Sequence, residues 1–241
     1  RLRSRGLGDV SQLHVMYNPA SILHTVERHL ADHDAPRTAV FTLGTNHVYI
    51  LNETGEIVDN CQKRPQRLFT ERELTVDECA SYLRHAVETL RAKRDNVRVI
   101  ITVSPIRYAK YGFHGSQLSK ATLLLAADKL VKEYASERAS KDKACEVVYF
   151  PAYEIVNDEL RDYRFYREDM LHPSDQAVKY IRQRFADTFF SDNTREFLKK
   201  WQPIKAALCH RPFNPDSEDY KAFLAKAKED ERKLVEEFDG K

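Results

Sequence analysis

The stretch "VRVIITVSP" (residues 97–105) is a run of β-branched residues that ends at a proline, which predicts a β-strand. A helical pattern stands on either side of it. "TVDECASYLRHAVETLRAKRD" precedes the strand, with Ala80, Leu83, Val87 and Leu90 on one stripe, and "SKATLLLAADKLVKEYASERA" follows it. A strand between two such helices is typical of a parallel sheet, because parallel strands are joined by helical crossovers.

The same alternation continues in both directions along the chain. Strands are predicted at "SQLHVM", "TAVFTLG" and "CEVVYFPA", and helices at "NPASILHTVERHLADHD", with Asn18 as its N-cap, and at "SDQAVKYIRQRFADTFF", capped by Ser174. "HVYILNETGEIVDNC" predicts a hairpin that turns at Thr54-Gly55, and "RLRSRG" the end of a helix closed by Gly6. The predicted fold is a three-layer α/β/α domain with a mostly parallel, flavodoxin-like sheet.

The end of the chain follows another pattern. After about residue 191 no strand is predicted, and "DYKAFLAKAKEDERKLVEEF" is a charged helix with Tyr220, Phe223, Ala227 and Leu234 as its contact stripe. We therefore expect an α/β core over residues 1–190 and a helical extension over residues 191–241 that packs on the core.

Composition excludes several classes of function. The 39 basic and 37 acidic residues leave a net charge of +2, without the basic excess of a nucleic-acid-binding protein. No apolar run approaches the 18 residues of a membrane span. The four cysteines, at positions 61, 79, 145 and 209, are widely spaced, which predicts buried thiols and favours a reducing, cytoplasmic compartment. Neither a starting Met nor a signal peptide is visible, so the localisation stays open.

In an open α/β sheet, ligands bind at the carboxyl ends of the strands. Gly44, Thr45 and Asn46 follow one predicted strand. A glycine permits close approach of the backbone to a ligand, and an asparagine amide is a neutral donor suited to a developing oxyanion. An ordinary turn would use the same residues.

Asp169 and His172 lie in the segment "RFYREDMLHPSDQAV" (164–178), just ahead of a helix. A histidine is the usual general base near neutral pH, and a carboxylate on its other ring nitrogen fixes the tautomer. Two alternatives stay open for this pair, a solvated surface turn and a metal site. No further ligands stand nearby at a recognisable spacing, so we predict neither a metal nor a cofactor.

A third group, Ser104, Arg107 and Tyr108, follows the strand at 97–105. Ser104 lacks the G-x-S-x-G context of an exposed nucleophile. We interpret these residues as shaping a substrate pocket. Two alternatives stay open, a structural role for Ser104 and packing in the core or at the rim for Tyr108.

Seven stretches, taken together and in order, resemble the GSCFA family. They run from about residue 15 to about residue 225: "MYNPASI", "FTLGTNHVY", "NCQKRP", "TVSPIRY", "QLSKATLLLA", "YFPAYEIVNDELRDYRFYREDMLHPS" and "HRPFNP". The family is similar to the SGNH hydrolases, which are α/β/α esterases and acyl hydrolases. The resemblance therefore implies the same fold as the alternation of strands and helices.

The resemblance also implies roles for individual residues. Asp169 and His172 match the D-x-x-H pair of the SGNH pattern, and Gly44 and Asn46 match its G-x-N stretch, whose asparagine contributes to the oxyanion hole. His14 stands where related sequences tend to have a glycine that lends a backbone N–H to the hole. The nucleophilic serine belongs to the motif Gly-Ser-Cys-Phe-Ala, which does not occur in these 241 residues. The resemblance places it upstream of Arg1.

The expected function is an SGNH-type serine hydrolase, an esterase or deacetylase that releases a small acyl group by Ser-His-Asp chemistry. Its expected partner is a small acylated substrate such as a carbohydrate ester, with neither nucleic acid nor a membrane involved. Two alternatives stay open: a non-catalytic ligand-binding protein on the same fold, and an acyltransferase with the same triad.

Overall fold

A computed structural model describes residues 12–58, 61, 64–140, 145–214 and 216–238. The helix end predicted at residues 1–6 lies outside the described residues. The strands and helices come in this order along the chain: β1 (Gln12–Tyr17), α1 (Pro19–Asp32), β2 (Thr38–Leu43), β3 (His47–Leu51), β4 (Ile57–Val58), β5 (Phe69–Glu73), α2 (Val76–Arg91), β6 (Arg98–Val103), α3 (Gly112–Ser140), β7 (Glu146–Phe150), α4 (Ala152–Glu154), α5 (Asp175–Phe189), α6 (Asp192–Leu208) and α7 (Glu218–Phe238).

The main sheet has four strands in the order β1-β2-β6-β7, and every neighbouring pair is parallel. Helical crossovers connect β1 to β2 and β6 to β7, so the predicted alternation of strands and helices is confirmed. Since all four strands run the same way, their carboxyl ends meet at one edge of the sheet. The segments that follow them therefore lie side by side.

Helices α1, α2 and α3 form a row in which α1 packs against α2 and α2 against α3. Each crossover advances one strand in the same direction, and right-handed connections place such helices on one face of the sheet. The core between sheet and helices includes Phe41, Leu83, Ile101 and Leu130. The opposite face of β6 is buried as well, through Ile100 and Thr102.

Local sequence signals explain where the first two helices begin. Asn18 accepts a hydrogen bond from the backbone N–H of Ser21 at 2.9 Å and so caps α1, as predicted. Thr75 and Glu78 form a reciprocal capping box at the start of α2. Helix α3 begins at Gly112, earlier than the predicted start at Ser119, because packing overrides the low helix propensity of its glycines.

A second sheet of three antiparallel strands, in the order β4-β3-β5, is inserted between β2 and α2. Its β3–β4 hairpin was predicted, whereas β5 was not. This three-stranded sheet, the hairpin sheet, begins directly after the Gly44–Asn46 turn. The backbone N–H of Leu74, just past its last strand, donates to the carbonyl of Asn46 at 2.9 Å. This hydrogen bond holds both ends of the insertion at the carboxyl end of β2.

Residues 12–181 belong to one compact unit, and the described residues from 182 onward belong to a second. The division falls within α5, which Ser174 caps as predicted. The boundary at residue 191 and the packing of the extension on the core stay predictions.

In the second unit, α6 packs against α7. Phe197 meets Phe238 edge to face at 5.4 Å. Of the predicted stripe on α7, Ala227 and Leu234 are buried, whereas Phe223 is exposed. Through the part of the chain that the structure describes, no helix combines the length and apolar character that crossing a bilayer requires.

Candidate active site

The loop that carries Asp169 and His172 is closed at its base by backbone hydrogen bonds. Tyr166 and Pro173 form an antiparallel bridge, and the N–H of Arg167 donates to the carbonyl of His172 at 2.8 Å. Met170, at the tip, has φ of 59°, the left-handed conformation that such a tight reversal requires. The loop therefore holds its two candidate residues in one fixed arrangement.

Within this loop the carboxylate of Asp169 contacts His172 in two ways. One oxygen, Oδ2, lies 2.6 Å from the imidazole Nδ1. The other, Oδ1, accepts the backbone N–H groups of Leu171 and His172 at 2.8 and 2.9 Å. These backbone hydrogen bonds, together with that of the imidazole, lower the pKa of Asp169 to about 2. The carboxylate is thus ionised and aimed at Nδ1.

The imidazole of His172 is half-exposed, with 51% of its side chain accessible. A proton on Nδ1 that is donated to Asp169 leaves a lone pair on Nε2. Nε2 makes no hydrogen bond to any of the described residues. The histidine can therefore accept a proton from a group that enters from solvent.

Arg107, which follows β6, anchors this loop. Its backbone N–H donates to the carbonyl of Leu171 at 3.1 Å, and its guanidinium donates to the carbonyl of Met170 at 3.3 Å. The guanidinium also stacks on the ring of Tyr166, 4.1 Å from the centroid. The predicted pocket residue Arg107 and the predicted pair Asp169 and His172 are thus brought together.

Gly44 lies at the end of β2, and Tyr108 packs directly against it. A Cβ atom at position 44 would lie 2.5 Å from the hydroxyl of Tyr108, so any larger residue there would require Tyr108 to move. The N–H of Gly44 already donates to the carbonyl of Tyr17 at 2.8 Å. Burial raises the pKa of Tyr108 to about 12. Gly44 and Tyr108 are therefore in contact, as expected for neighbouring strand ends.

Asn46 is almost completely buried. Its amide Nδ2 donates to the carbonyl of Leu74 at 2.8 Å, and its backbone N–H donates to the hydroxyl of Ser119 at 3.0 Å. The acceptor at Leu74 fixes which end of the amide is nitrogen. Its oxygen, Oδ1, is buried without a hydrogen-bond partner among the described residues. An amide nitrogen carries two protons, so one N–H of Asn46 is not used by Leu74.

Matches to two family profiles identify the family. The profile of the GSCFA family matches residues 33–185, and that of the C-terminal domain of GSCFA domain proteins matches residues 201–240.

The chain belongs to the GSCFA family. No curated protein matches it. Among solved structures, it is similar to a carbohydrate esterase family 3 from Talaromyces cellulolyticus, at 13% identity and a TM-score of 0.43. That match covers 71% of this chain and 65% of the other, so this GSCFA chain aligns with less than two thirds of the esterase's length.

Two residues of this GSCFA chain escaped the sequence reasoning, although they lie within "QLSKATLLLA". Ser119 and Lys120, on α3, are both buried beneath the Gly44–Asn46 turn. The hydroxyl of Ser119 binds the N–H of Asn46 and lies 3.3 Å from that of Thr45, and the ammonium of Lys120 donates to the carbonyl of Gly44. Lys120 shares a helical stripe with buried apolar residues, and a lysine in such a stripe is the signal that was available.

Two other sequence candidates have mainly structural contacts. The hydroxyl of Ser104 accepts the backbone N–H of Ile106 at 3.4 Å, and its own N–H donates to Leu43. His14 lies in β1 with Nε2 2.9 Å from the hydroxyl of Thr42, and burial lowers its pKa. In the described ranges, no three His, Cys, Asp or Glu side chains cluster in a way that would hold a metal ion.

A polar cluster stabilises the hairpin sheet beside the turn. The ring of His47 stacks on Tyr111 with centroids 3.5 Å apart. Glu71 accepts hydrogen bonds from Lys110 at 2.6 Å and from the hydroxyl of Tyr111 at 2.7 Å. Burial by itself raises the pKa of Glu71, but these hydrogen bonds outweigh it and lower the pKa. The cluster ties the hairpin sheet to the segment that leads into α3.

Proposed function

We propose that this GSCFA protein is an ester hydrolase of the SGNH type that releases a small acyl group. His172 is its general base, and Asp169 is the residue that orients the imidazole. One observation carries the proposal: Asp169 directs one oxygen at Nδ1 from 2.6 Å while two backbone N–H groups hold the other. This arrangement fixes the tautomer that a general base needs.

The reaction would proceed in two steps. In the first, Nε2 of His172 removes the proton of a serine hydroxyl as that oxygen attacks the ester carbonyl carbon. The resulting tetrahedral intermediate loses its alcohol, which takes the proton back from Nε2. In the second, water attacks the acyl-serine by the same route and frees the acid. We propose that the serine comes from the Gly-Ser-Cys-Phe-Ala motif upstream of Arg1.

We propose Asn46 as a donor to the oxyanion of both intermediates. One N–H of the Asn46 amide donates to the carbonyl of Leu74, and we assign the second N–H to the oxyanion. The bond to Leu74 keeps the amide rigid, which favours stabilisation of the transition state without reorganisation. The N–H of Gly44 is not available to the oxyanion, because it donates to the carbonyl of Tyr17. We assign to Gly44 the close packing that sets the position of Asn46.

The experiment is ester hydrolysis by the full-length protein with p-nitrophenyl acetate as substrate. His172→Gln should lower kcat by at least ~10³-fold without a change in thermal stability, since the half-exposed imidazole contributes little to packing. His85, an exposed histidine on α2, provides the matched control, and His85→Gln should retain wild-type activity. Full activity of the His172→Gln protein would disprove the proposal. Acylated product after addition of acceptor alcohols would indicate a transferase instead.

A further inference from the structure

Arg107 is half-buried, and its charge is compensated in an unusual way. Its guanidinium binds the carbonyl of Met170 and lies over the ring of Tyr166. Two further rings, of Phe113 and Tyr163, have centroids 5.8 and 5.6 Å from it. Within the described part of the chain, no carboxylate pairs with Arg107.

Other arginines of the same unit are neutralised by carboxylates. Arg91, which is also partly buried, lies 3.0 Å from Glu88 and 3.2 Å from Glu137, and Arg84 is 2.6 Å from Glu133. A planar guanidinium matches a carboxylate or phosphate with two parallel hydrogen bonds. Arg107 retains donors for such a partner after its bond to Met170.

A cleft of about 290 Å³ opens at Arg107. Its other lining residues are Phe113, Ser116, Gln117 and Tyr163. Phe113 and Tyr163 are 62% and 66% exposed, large fractions for aromatic side chains. Gln117 accepts the hydroxyl proton of Tyr153 at 2.6 Å through Oε1, which leaves its NH₂ group as a donor. The cleft thus combines a cation, a neutral donor and two aromatic surfaces.

We infer that this cleft binds the alcohol part of an ester that carries a carboxylate or phosphate, with Arg107 as the group that pairs with the anion. The inference rests on the proposed function. Arg107 lines the cleft and also binds the loop that carries His172, so this side chain connects the cleft with the proposed general base. Because the acyl group is small, the cleft takes the alcohol part. The anion supplies the negatively charged partner that Arg107 lacks among the described residues.

The test compares aryl acetates whose para substituent is either anionic or neutral, with the full-length protein at low salt. Each kcat/KM is divided by the uncatalysed rate constant of the same ester, which removes the difference in intrinsic reactivity. The substrates are 4-acetoxybenzoate, its neutral methyl ester and 4-acetoxyphenyl phosphate, the last of which separates phosphate from carboxylate recognition. Wild type should hydrolyse at least one anionic ester with a kcat/KM ~10-fold or more above the neutral one, the effect of one charge-assisted hydrogen bond pair. Equal values for all three esters would overturn the inference.

Three variants assign the preference to the cleft. Arg107→Gln should remove the preference for the anionic ester by raising KM for that ester. Gln117→Glu should reduce the preference, because the new carboxylate repels the anion. This carboxylate can still accept the hydrogen bond of the Tyr153 hydroxyl. The control is Arg164→Gln, because Arg164 is exposed and stacks on Phe165 outside the cleft. A preference that persists in both Arg107→Gln and Gln117→Glu would contradict the assignment.

The two proposals fail in different ways. If wild type hydrolyses p-nitrophenyl acetate but none of these three esters, the inference is wrong and the proposed function stands. If it hydrolyses neither, the proposed function is wrong, and calorimetry with 4-hydroxybenzoate, 4-hydroxyphenyl phosphate and methyl 4-hydroxybenzoate decides the inference. Binding of an anion alone, abolished in Arg107→Gln, would support the anion site. Equal binding of all three compounds, or no binding, would overturn it.

Discussion

The ammonium of Lys120 donates a hydrogen bond to the carbonyl of Gly44, although the side chain is almost completely buried. The ring of Tyr108 lies 5.2 Å from the same nitrogen. Burial lowers the pKa of Lys120 to about 7. A titratable group thus supports the backbone of the turn that leads to Asn46.

The first prediction follows from this pKa. Between pH 7 and about pH 10 the unfolded chain keeps the Lys120 proton while the folded chain releases it. Folding stability should therefore rise with pH over this window, by at most about 1.4 kcal/mol per pH unit. Lys120→Met should remove this increment, as measured by urea unfolding at several pH values.

Lys129 provides the control for this prediction. It lies on the same helix, is half-exposed and pairs with Asp77 at 2.6 Å. Lys129→Met should therefore leave the rise in stability between pH 7 and about pH 10 as it is in wild type. Parallel stability curves for wild type and Lys120→Met would show that the buried ammonium does not titrate near neutral pH.

The second prediction concerns the contact between Gly44 and Tyr108. Gly44→Ala should destabilise the fold, because the added methyl group would meet the Tyr108 hydroxyl at 2.5 Å. In Tyr108→Phe the nearest ring carbon is 3.6 Å away, an ordinary contact. The double variant should recover most of the ~1–3 kcal/mol lost, as measured by thermal unfolding. Additive losses would show that the clash is relieved elsewhere.

The third prediction concerns Asp169. In Asp169→Asn the remaining oxygen can still accept the two backbone N–H groups, whereas the amide would present an N–H to Nδ1 and favour the wrong tautomer. The kcat for ester hydrolysis should fall by ~10³–10⁴-fold. Nitrogen NMR of His172 should show the proton move to Nε2. The matched control is Asp162→Asn, because Asp162 accepts the backbone N–H of Arg164 outside the loop. An equal loss of kcat in both variants would contradict the role assigned to Asp169.

The fourth prediction separates the two uses of the Asn46 amide. Asn46→Ala should cost about 1–3 kcal/mol of stability, because it leaves the buried carbonyl of Leu74 unpaired. It should also lower kcat by ~10²-fold or more with KM nearly unchanged. The control is Asn52→Ala, which removes a similar but exposed bond to the carbonyl of Arg67. A stability loss with unchanged kcat would leave Asn46 only a structural role.

The fifth prediction concerns the nucleophile. A fluorophosphonate probe should label the full-length protein at a serine upstream of Arg1, within a Gly-Ser-Cys-Phe-Ala motif, as identified by peptide mass spectrometry. The His172→Gln variant should be labelled much more slowly than wild type. Modification of Ser104 or another serine of the numbered chain would contradict the SGNH assignment.

The order of the main strands and helices was predictable because short, largely apolar runs alternate with periodic helical segments along the chain. Strand β5 was not, since "FTERE" is mostly polar and its place is set by pairing with β3, which the local sequence does not show. The early start of α3 was also missed. Its first turn contains Gly112 and Gly115, which disfavour a helix when only local propensity is considered.

The site was predictable where it is local. Asp169 and His172 are three residues apart, so their contact follows from one loop. The direction of the Asn46 amide depends on Leu74, 28 residues away, and the support of Gly44 depends on Lys120, 76 residues away. Such contacts are set by the packing of the hairpin sheet and α3, and no spacing in the sequence encodes them.

The proposed general base, the carboxylate that orients it and the N–H groups that hold this carboxylate all belong to four consecutive residues, 169 to 172. The hydrogen bonds among them lie within the loop, and Arg107 connects this loop to the segment after β6. A displacement of this loop would carry the carboxylate and the imidazole together and leave their mutual geometry intact. In the proposed mechanism, what would change is the distance between Nε2 and the serine hydroxyl. In that mechanism the bonds of Arg107 to Met170 and Leu171 would help to set this distance, and a ligand bound to the guanidinium would alter it.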